Sequence, residues 1–469
     1  MTASEQSGIR REPAMALHGD AYGTAAVPRR TRAPNARSGK RINTIRGDWS
    51  RLHRWSLSLL ILVFVGRIQE AVPIPGLSSL PLGNVAVLLC AVAIVKSGYH
   101  RDFGRLLQTR LGVLGAAFLG VAVLSVPFAL WPGGAARGLV SFLTVSVLYV
   151  LVVLSVRRPE HLAYLASVFA IAVAILVSFY VKDWLVGGGA MTEQEFVAFD
   201  RNDVALLAVM GIPFALVMTV GGGFRAWVGF GLAAFLALGV VTTDSRGGFL
   251  ALAVMGTVML AYGRMLSAQR KVTLVLVGTL ALLAGGSSEY WERIEAVFTS
   301  PSADYNFTDR DGRIEIWRRG AGYFLENPLT GVGIDNFRVA EGQSLSNDGF
   351  GVKWNTAHSA YILAAAELGI GGIALFLALL WSIGGQAKKA AGTRRQRRSP
   401  PEKELAAVAE ATRYSLVGFV VAALFLSVTY NVAFVFLVAV GASLSLLTRT
   451  TAGSGPRRPR NTQWSAGRA

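Results

Sequence analysis

Cysteine, histidine and charged residues are all scarce in this sequence of 469 residues. It holds a single cysteine, Cys90, so the chain cannot build an internal disulfide or a thiolate metal centre from its own residues. Only 16% of the residues are charged, whereas 52% are hydrophobic. The way in which those apolar residues are distributed along the chain therefore decides the class of fold.

The apolar residues form long blocks and are not dispersed with the short period of a soluble helix or strand. Each block has about 17–25 residues, which as a helix crosses the ~30 Å hydrocarbon core of a bilayer. Because a helix satisfies its own backbone hydrogen bonds in lipid, we predict an all-α polytopic membrane protein with about 12 transmembrane helices. The predicted helices cover residues 55–72, 81–97, 111–130, 136–156, 162–181, 203–220, 226–243, 248–263, 271–286, 359–384, 414–430 and 432–448.

The basic residues indicate how these helices are oriented. If the N-terminus is cytoplasmic, roughly three quarters of the 46 lysines and arginines fall in segments on the cytoplasmic side. We therefore expect both termini to be cytoplasmic in a bacterial inner membrane protein. The net charge of +18 is then explained by topology signals and contacts with lipid headgroups, and nucleic acid is not a predicted partner.

The predicted helices divide the chain into consecutive parts, of which one is a large loop on the periplasmic or external face. In order, these parts are a disordered basic cytoplasmic tail (1–54), helices one to nine (55–286), the large loop (287–357), helices ten to twelve (358–448) with a basic cytoplasmic loop (385–413), and a second cytoplasmic tail (449–469).

The large loop contains a predicted amphipathic helix. Apolar residues recur there at helical spacing and form one face, which we expect to lie on the membrane surface or against the bundle. These residues are Ile314, Trp317, Ala321, Phe324 and Leu325. Asp311 is the predicted N-cap, and Asn327 before Pro328 is the predicted end of the helix.

An arginine stands at a position where membrane topology does not favour a charge. Arg246 follows Ser245 in TDSRGG, on the outer side between helices seven and eight. Asp244 or Ser245 would cap helix eight, so Arg246 lies in its first turn beside free backbone N–H groups. A phosphate bound there would satisfy both the arginine and the helix end. The alternative is an interfacial arginine that reaches water or pairs with Asp244.

Two further residues on the outer side are candidates for chemistry. Arg313 repeats the pattern near the start of the loop helix, with a solvated surface charge as the alternative. His358 is the only one of the five histidines on this face, with Asn355 or Thr356 as the predicted cap of helix ten. Its reference pKa of about 6.5 allows it to take a proton from a hydroxyl, while the alternative is a histidine bonded to a carbonyl. Tyr361 would share its helical face.

The remaining charged groups suggest structure instead of catalysis. Glu367 lies inside helix ten on the side opposite His358, and we expect it to tie this helix to a neighbour. No outer cluster of His, Cys, Asp or Glu has the spacing of a metal site. The sequence therefore predicts chemistry that uses no metal ion, and it implies no cofactor.

Three segments in this order resemble the bacterial O-antigen ligase and polymerase superfamily. They are TTDSRGGFLALA from Thr242, GRIEIWRRGAGYFLENPLTGVGIDNF from Gly312, and TAHSAYILAAAELGIGGIALF from Thr356. The stretch RNDVALLAVMGIPFAL from Arg201 is similar to the segment that precedes them in that family. The resemblance extends over roughly residues 200–385.

The resemblance implies a glycosyltransferase of the GT-C type with its active site on the periplasmic or external face. Such enzymes move a glycan from an undecaprenyl-diphosphate carrier to the hydroxyl of a glycan or lipid-core acceptor, without a metal ion. The family's two pyrophosphate-binding arginines correspond to Arg246 and Arg313, and its catalytic histidine corresponds to His358. Ser359 follows this histidine, where the family usually has asparagine.

Residues beside these three are predicted to support them, and partners are implied by the family. Ser245, Asn202 and Tyr361 are the predicted supporting residues. The implied partners are membrane lipids, a polysaccharide flippase and a chain-length regulator.

The motifs leave two activities open within the family. A ligase transfers finished chains to a lipid core, whereas a polymerase extends a chain on its carrier. The bias toward Ala, Gly and Arg slightly favours polymerisation of a surface or extracellular polysaccharide. The alternative from another class is a transporter or flippase for lipid-linked sugars, which would carry charges deep within several helices. Here the ionisable residues gather at the outer helix ends, which favours the enzyme.

Overall fold

The chain forms helices wherever the apolar blocks predict them, but their boundaries and number differ from the prediction. The computed structural model describes residues 49–71, 79–186, 199–264, 267–285, 312–347, 354–392 and 399–453. In order, its α-helices are α1 (Arg51–Phe64), α2 (Ile68–Ala71), α3 (Leu82–Lys96), α4 (Arg110–Ser125), α5 (Pro132–Ser155), α6 (Pro159–Val186), α7 (Arg201–Val217), α8 (Gly223–Thr242), α9 (Arg246–Tyr262), α10 (Ala268–Gly285), α11 (Arg313–Glu326), α12 (Phe337–Asn347), α13 (Ala360–Ala391), α14 (Pro400–Ala422) and α15 (Val432–Gly453).

The helical, multi-spanning fold is confirmed, whereas the count of twelve spans is not. Within the described ranges, 8 helices are long and apolar enough to cross a membrane, or up to 9 if one bent pair is a single span. That pair is α3 with the 3-10 helix Tyr99–Leu107, which meet at 107°. Two other predicted blocks form short helices, because α1 has 14 residues and α9 has 17.

Both ends of the predicted cytoplasmic loop 385–413 are helical. Helix α13 continues to Ala391, and α14 begins at Pro400. Ser399 starts α14 with a capping box, in which its backbone N–H donates to Glu402 Oε2 at 2.8 Å. A search for apolar blocks misses these turns because they are polar, although their residues favour helix.

The last residues of the predicted N-terminal tail are folded. Helix α1 begins at Arg51 with Ser50 as its N-cap, and Trp49 is buried in the bundle. Residues 49–54 are therefore part of the folded bundle, and the rest of the predicted tail, residues 1–48, lies outside the described residues.

The loop between α11 and α12, residues 327–336, crosses α13 where this helix is interrupted. Gly369 has φ 64 and breaks the helical geometry, and the Ile370 N–H donates to the Pro328 carbonyl at 2.8 Å. The loop passes so close that a Cβ on Gly331 would lie 2.3 Å from the carbonyl carbon of Glu367. Only glycine, with its access to positive φ, suits both crossing points.

Glu367 fastens this loop to α13, which confirms its predicted structural role. Its side chain is 2% exposed, and its Oε1 accepts the Phe337 backbone N–H at 2.9 Å. The loop is also fixed to the start of α5, because Asn336 Oδ1 accepts the Trp131 N–H at 2.7 Å. These bonds hold the chain that joins α11 to α12.

Helix α11 packs through a different face from the predicted one. Its buried residues are Ile316, Gly320 and Tyr323, whereas Ile314 is 41% and Leu325 is 74% exposed. The predicted face was chosen by hydropathy. The face that packs depends instead on Gly320, which allows close contact, and on Tyr323, whose hydroxyl donates to the buried Glu341. Of the apolar face that was predicted, Ile314, Ala321 and Leu325 are exposed, whereas Trp317 and Phe324 are partly buried.

The ends of α11 agree with the prediction in part. Asn327 is the C-cap, as expected. Gly312 is the N-cap and offers no side-chain bond, so the helix starts one residue later than a cap at Asp311 would require. Asp311 itself lies outside the described residues.

Candidate active site

Helix α9 begins as predicted, and its first turn is joined to the first turn of α7. Ser245 is the N-cap, and its Oγ accepts the Gly248 N–H at 3.0 Å. The same hydroxyl donates to Asn202 Oδ1 at 2.8 Å. Two residues that were predicted to support the site, Ser245 and Asn202, therefore contact each other directly. This bond fixes the position of Arg246, the first residue of α9.

A carboxylate caps α7 at the same place. Asp200 accepts the N–H groups of Asn202 and Asp203, both at 2.8 Å, and Asp203 closes a capping box. The spacing of two aspartates in DRND is the sequence signal for this cap, and our sequence analysis did not use it.

Phe425 lies between the starts of α9 and α11. The Arg313 guanidinium carbon is 5.9 Å from the centre of this ring. On the other side, a Cβ on Gly247 would lie 3.3 Å from Phe425 Cβ. The structure thus brings Arg313 and the residue next to Arg246 against one aromatic side chain. Phe425 follows α14 in a segment that was predicted to be helix, so no sequence signal pointed to it.

His358 precedes α13 and is not part of it. The predicted caps Asn355 and Thr356 are wrong, because Ser359 is the N-cap and its Oγ accepts the Ile362 N–H at 3.5 Å. His358 has φ 46, a left-handed conformation that cannot belong to a right-handed helix. Its Nε2 lies 3.2 Å from the Thr356 hydroxyl, which orients the imidazole ring.

The surroundings of His358 keep its imidazole neutral at physiological pH. Burial lowers its pKa from 6.5, and the charges of Arg313 and Arg338 lower it further. The carboxylate of Asp200 opposes this change and raises the pKa. Arg313 and Asp200 therefore lie close enough to His358 to change the pKa of its imidazole. A neutral imidazole can accept a proton, as a general base must.

Tyr361 does not share a face with His358, contrary to the prediction. Because His358 lies outside the helix, the expected spacing within α13 does not apply. The Tyr361 hydroxyl instead donates to the Val420 carbonyl of α14 at 2.9 Å. Its contact in the structure is therefore between helices.

Helix α11 is held rigidly beside His358. The Trp317 indole N–H donates to the Ala357 carbonyl at 3.1 Å. Further along, Arg319 makes two bonds to Glu341 of α12, at 2.9 and 2.7 Å, and Tyr323 donates to the same carboxylate at 2.9 Å. The hydrogen bond to Glu341 raises the pKa of Arg319. A buried, bidentate pair of this kind orients the helix that presents Arg313.

The local backbone around the site shares two features. Asp244 and His358 both have positive φ and both directly precede a serine N-cap. A left-handed conformation costs about 1–2 kcal/mol in a residue with a side chain, and such strain clusters at functional sites. In addition, α7, α9, α11 and α13 all begin here, and the N-terminus of a helix favours negative charge.

An apolar groove runs along α9 away from Arg246. It has a volume of about 250 Å³ and lies between α7, α8, α9 and α10. Its walls include Ile212, Leu252 and Met255. Pro213 lies inside α7, next to Ile212 in this wall.

No group of three or more His, Cys, Asp or Glu side chains in the described ranges is arranged to hold a metal ion. The structure brings together Arg313, His358 and the start of α9. It adds three residues that the sequence analysis missed, namely Asp200, Arg338 and Phe425.

The family model for O-antigen ligase matches residues 231–377. That match supports the superfamily that the sequence resembles. It includes all three residues singled out by the resemblance, Arg246, Arg313 and His358. It supports a function like that of O-antigen ligases and polymerases, and with the apolar helices it supports a multi-pass membrane protein. No curated protein matches the chain.

Proposed function

We propose that the chain is a glycosyltransferase that transfers a glycan from an undecaprenyl-diphosphate carrier to an acceptor hydroxyl, on the periplasmic or external face of the inner membrane. Arg246 and Arg313 bind the diphosphate, and His358 is the general base. The product belongs to a surface or extracellular polysaccharide. The reaction needs no metal ion, because the two arginines and the helix N-termini supply the positive charge.

The observation that carries this proposal is the contact of two helix starts with one ring. Arg313 lies over Phe425, and Gly247, which follows Arg246, packs against the same ring. Fixed donors aimed at a developing negative charge commonly supply the largest part of catalysis, roughly 10²–10³-fold for one donor. A diphosphate between these helix starts would meet two guanidinium groups and the N-terminal ends of two helices together.

The reaction is a single displacement at the anomeric carbon of the donor. The acceptor oxygen forms a bond to the anomeric carbon, and the bond from that carbon to the phosphate oxygen breaks. The bonding electrons stay on the diphosphate, where the arginines stabilise them. His358 takes the proton of the acceptor hydroxyl, and attack from the face opposite the leaving group inverts the anomeric centre.

The groove along α9 suits the lipid tail of the carrier. Its walls are apolar, and it starts on the helix whose first residue is Arg246. Met255 is nine residues further, or about 14 Å along the helix axis. A carrier held by its diphosphate at Arg246 would place its first isoprene units beside this groove.

Complementation in the host cell tests the proposal. Strains that lack the gene receive wild type, His358→Ala, Arg246→Ala or Arg313→Ala, at matched levels in the membrane. We expect each variant to insert normally and to lose the surface glycan, as resolved by size on a gel. Arg318→Ala is the matched control for Arg313→Ala, because it lies on the same helix with a side chain that is 77% exposed.

The species that accumulates in the inactive variants separates the two activities of the family. Single repeats linked to the carrier identify a polymerase, whereas long carrier-linked chains identify a ligase. Full product from His358→Ala would show that His358 is not the base, and it would favour a transporter of lipid-linked sugars.

A further inference from the structure

A second cavity borders Phe199, which directly precedes the cap of α7, and its walls differ from those of the groove along α9. It has a volume of about 450 Å³, within the range of ~300–1,000 Å³ that is usual for small-molecule sites. It lies between the end of α1, the short helix α2 and the starts of α3 and α15. Its polar walls come from Arg67, Gln69, Glu70, Asn84, Thr144 and Asn431.

Three adjacent polar groups in this cavity have no hydrogen-bond partner among the described residues. They are Arg67 Nε, Gln69 Oε1 and Glu70 Oε2, and all three atoms are shielded from solvent. Native proteins leave few buried polar atoms unsatisfied, so these three atoms, on residues that line the cavity, call for a partner that the described residues do not supply. One donor and two acceptors together match the hydroxyl groups of a sugar, since a hydroxyl both donates and accepts.

The charge balance of the cavity favours an uncharged ligand. Arg67 and Glu70 form an ion pair at 2.5 Å, so the positive charge of the arginine is already compensated. The remaining polar walls are amides and a hydroxyl, and Phe64 and Phe199 provide aromatic surface. A diphosphate would find no excess positive charge here, in contrast to the site between Arg246 and Arg313.

The cavity is linked to the candidate active site through two consecutive residues. The Arg67 guanidinium lies 5.8 Å from the ring centre of Phe199, which lines the cavity. The next residue is Asp200, which caps α7 and whose charge acts on His358. Arg67 also has φ 47, so it shares with His358 the left-handed backbone that marks functional positions.

We propose that this cavity binds an uncharged sugar unit of the acceptor glycan and so presents the acceptor hydroxyl to His358. The inference rests on the proposed glycosyl transfer and names a part of it, the acceptor subsite. The diphosphate of the donor and the sugar of the acceptor then occupy separate places with different chemistry. Binding at the acceptor subsite does not require turnover, so it can be measured alone.

The test uses purified full-length protein in lipid nanodiscs and a fluorescently tagged oligosaccharide cut from the host's own surface glycan. Gly83 lines the cavity, and a Cβ there would meet Phe64 at an ordinary contact distance of 3.6 Å. Gly83→Ala is therefore the tolerated control, and Gly83→Phe fills the cavity. A second variant, Gln69→Ala with Asn84→Ala, removes polar groups without adding bulk. Fluorescence polarisation reports the Kd of the oligosaccharide.

We expect the wild type and Gly83→Ala to bind the oligosaccharide alike. Gly83→Phe should weaken binding by at least ~10-fold because it fills the cavity. The double variant should weaken binding by at least ~10-fold because it removes well-placed hydrogen bonds. The acceptor subsite would be overturned if the wild type did not bind the oligosaccharide. It would also be overturned if Gly83→Phe and the double variant bound it as tightly as the wild type. Neither result would touch the roles of Arg246, Arg313 and His358, which the complementation experiment tests independently.

Discussion

The two ends of α5 lie about 36 Å apart, and the two regions that they adjoin use histidine, arginine and aromatic residues differently. The start of α5 adjoins the loop next to the candidate active site, through the bond from the Trp131 N–H to Asn336. Its other end, at Ser155, adjoins a group that we call the Trp49 cluster. It consists of Trp49, His53, Tyr99, Arg157 and His161.

In the Trp49 cluster, the histidine, arginine and aromatic side chains pack against one another. His161 stacks on Trp49 with ring centres 4.1 Å apart, and its Nδ1 accepts the Arg157 backbone N–H at 3.2 Å. Arg157 pairs with Asp102 at 2.8 Å and lies over Tyr99. His161 is only 7% exposed. This histidine is enclosed and has a structural role.

His358 has the opposite surroundings. It is only half-buried, its backbone is left-handed, and Thr356 contacts one of its ring nitrogens. Its arginine neighbour, Arg313, stands at the first residue of a helix, where an anion is favoured. Residue type alone therefore does not distinguish a structural histidine from a functional one. The position relative to helix ends and the backbone conformation do.

The largest expected effect contrasts the two histidines. His358→Ala should reduce turnover by about 10²–10⁴-fold, the usual contribution of a general base, and leave the unfolding temperature unchanged. His161→Ala should do the reverse and lower stability by about 1–3 kcal/mol, because it removes a buried stacked ring. Turnover per folded molecule and thermal unfolding in nanodiscs measure both. Equal behaviour of the two variants would remove the distinction.

The second effect concerns the arginines. Arg246→Ala and Arg313→Ala should each lower turnover by about 10²–10³-fold, because each removes charge stabilisation from the leaving diphosphate. Arg318→Ala, on the same helix as Arg313, should keep full turnover. Initial rates with carrier-linked glycan measure the effect. A loss in Arg318→Ala equal to that in Arg313→Ala would mean that α11 acts through its overall charge.

The third effect concerns the ion pair that orients α11, the helix that carries Arg313. Glu341→Gln removes the buried carboxylate that pairs with Arg319, so we expect a loss of about 3–5 kcal/mol in the stability of the α11–α12 unit, with reduced turnover. The pair between Arg318 and Glu315 on the same helix is exposed, and breaking it should cost only about 0–1 kcal/mol. Hydrogen exchange of α11 reports both changes. Unchanged exchange in Glu341→Gln would contradict the positioning role.

The smallest effect is on pH dependence. Because the pKa of His358 is lowered, turnover should fall only as the pH drops below 6.5, where the imidazole becomes protonated. Arg338→Gln removes a charge that lowers this pKa, so the acid limb should move to higher pH. Asp200→Asn removes a charge that raises it and keeps the cap, so the limb should move to lower pH. Identical pH–rate profiles would show that another group controls the limb.

The sequence predicts much of the fold because apolar block length and capping residues act locally. Ser245 as a cap, Asn327 as a helix end and Glu367 as a structural tie all follow from neighbouring residues. The number of spans does not follow in the same way, since a block such as that of α9 gives a helix of only 17 residues.

The candidate site is less predictable because it depends on contacts between distant segments. The left-handed backbone at His358 shifts the start of α13 to Ser359, and no periodic pattern shows this. Phe425 enters the site because α14 ends at Ala422, eight residues before its apolar block ends. The face through which α11 packs depends on Gly320 and on a carboxylate in the next helix, which hydropathy does not reveal.

The release of carrier tests the central claim most directly. Purified protein in nanodiscs receives the carrier-linked glycan extracted from a host strain that lacks the gene, and free undecaprenyl diphosphate is measured by mass spectrometry. We predict that the wild type releases undecaprenyl diphosphate in step with glycan product and that His358→Ala releases almost none. Glycan product without release of undecaprenyl diphosphate, or equal release by His358→Ala, would contradict the account.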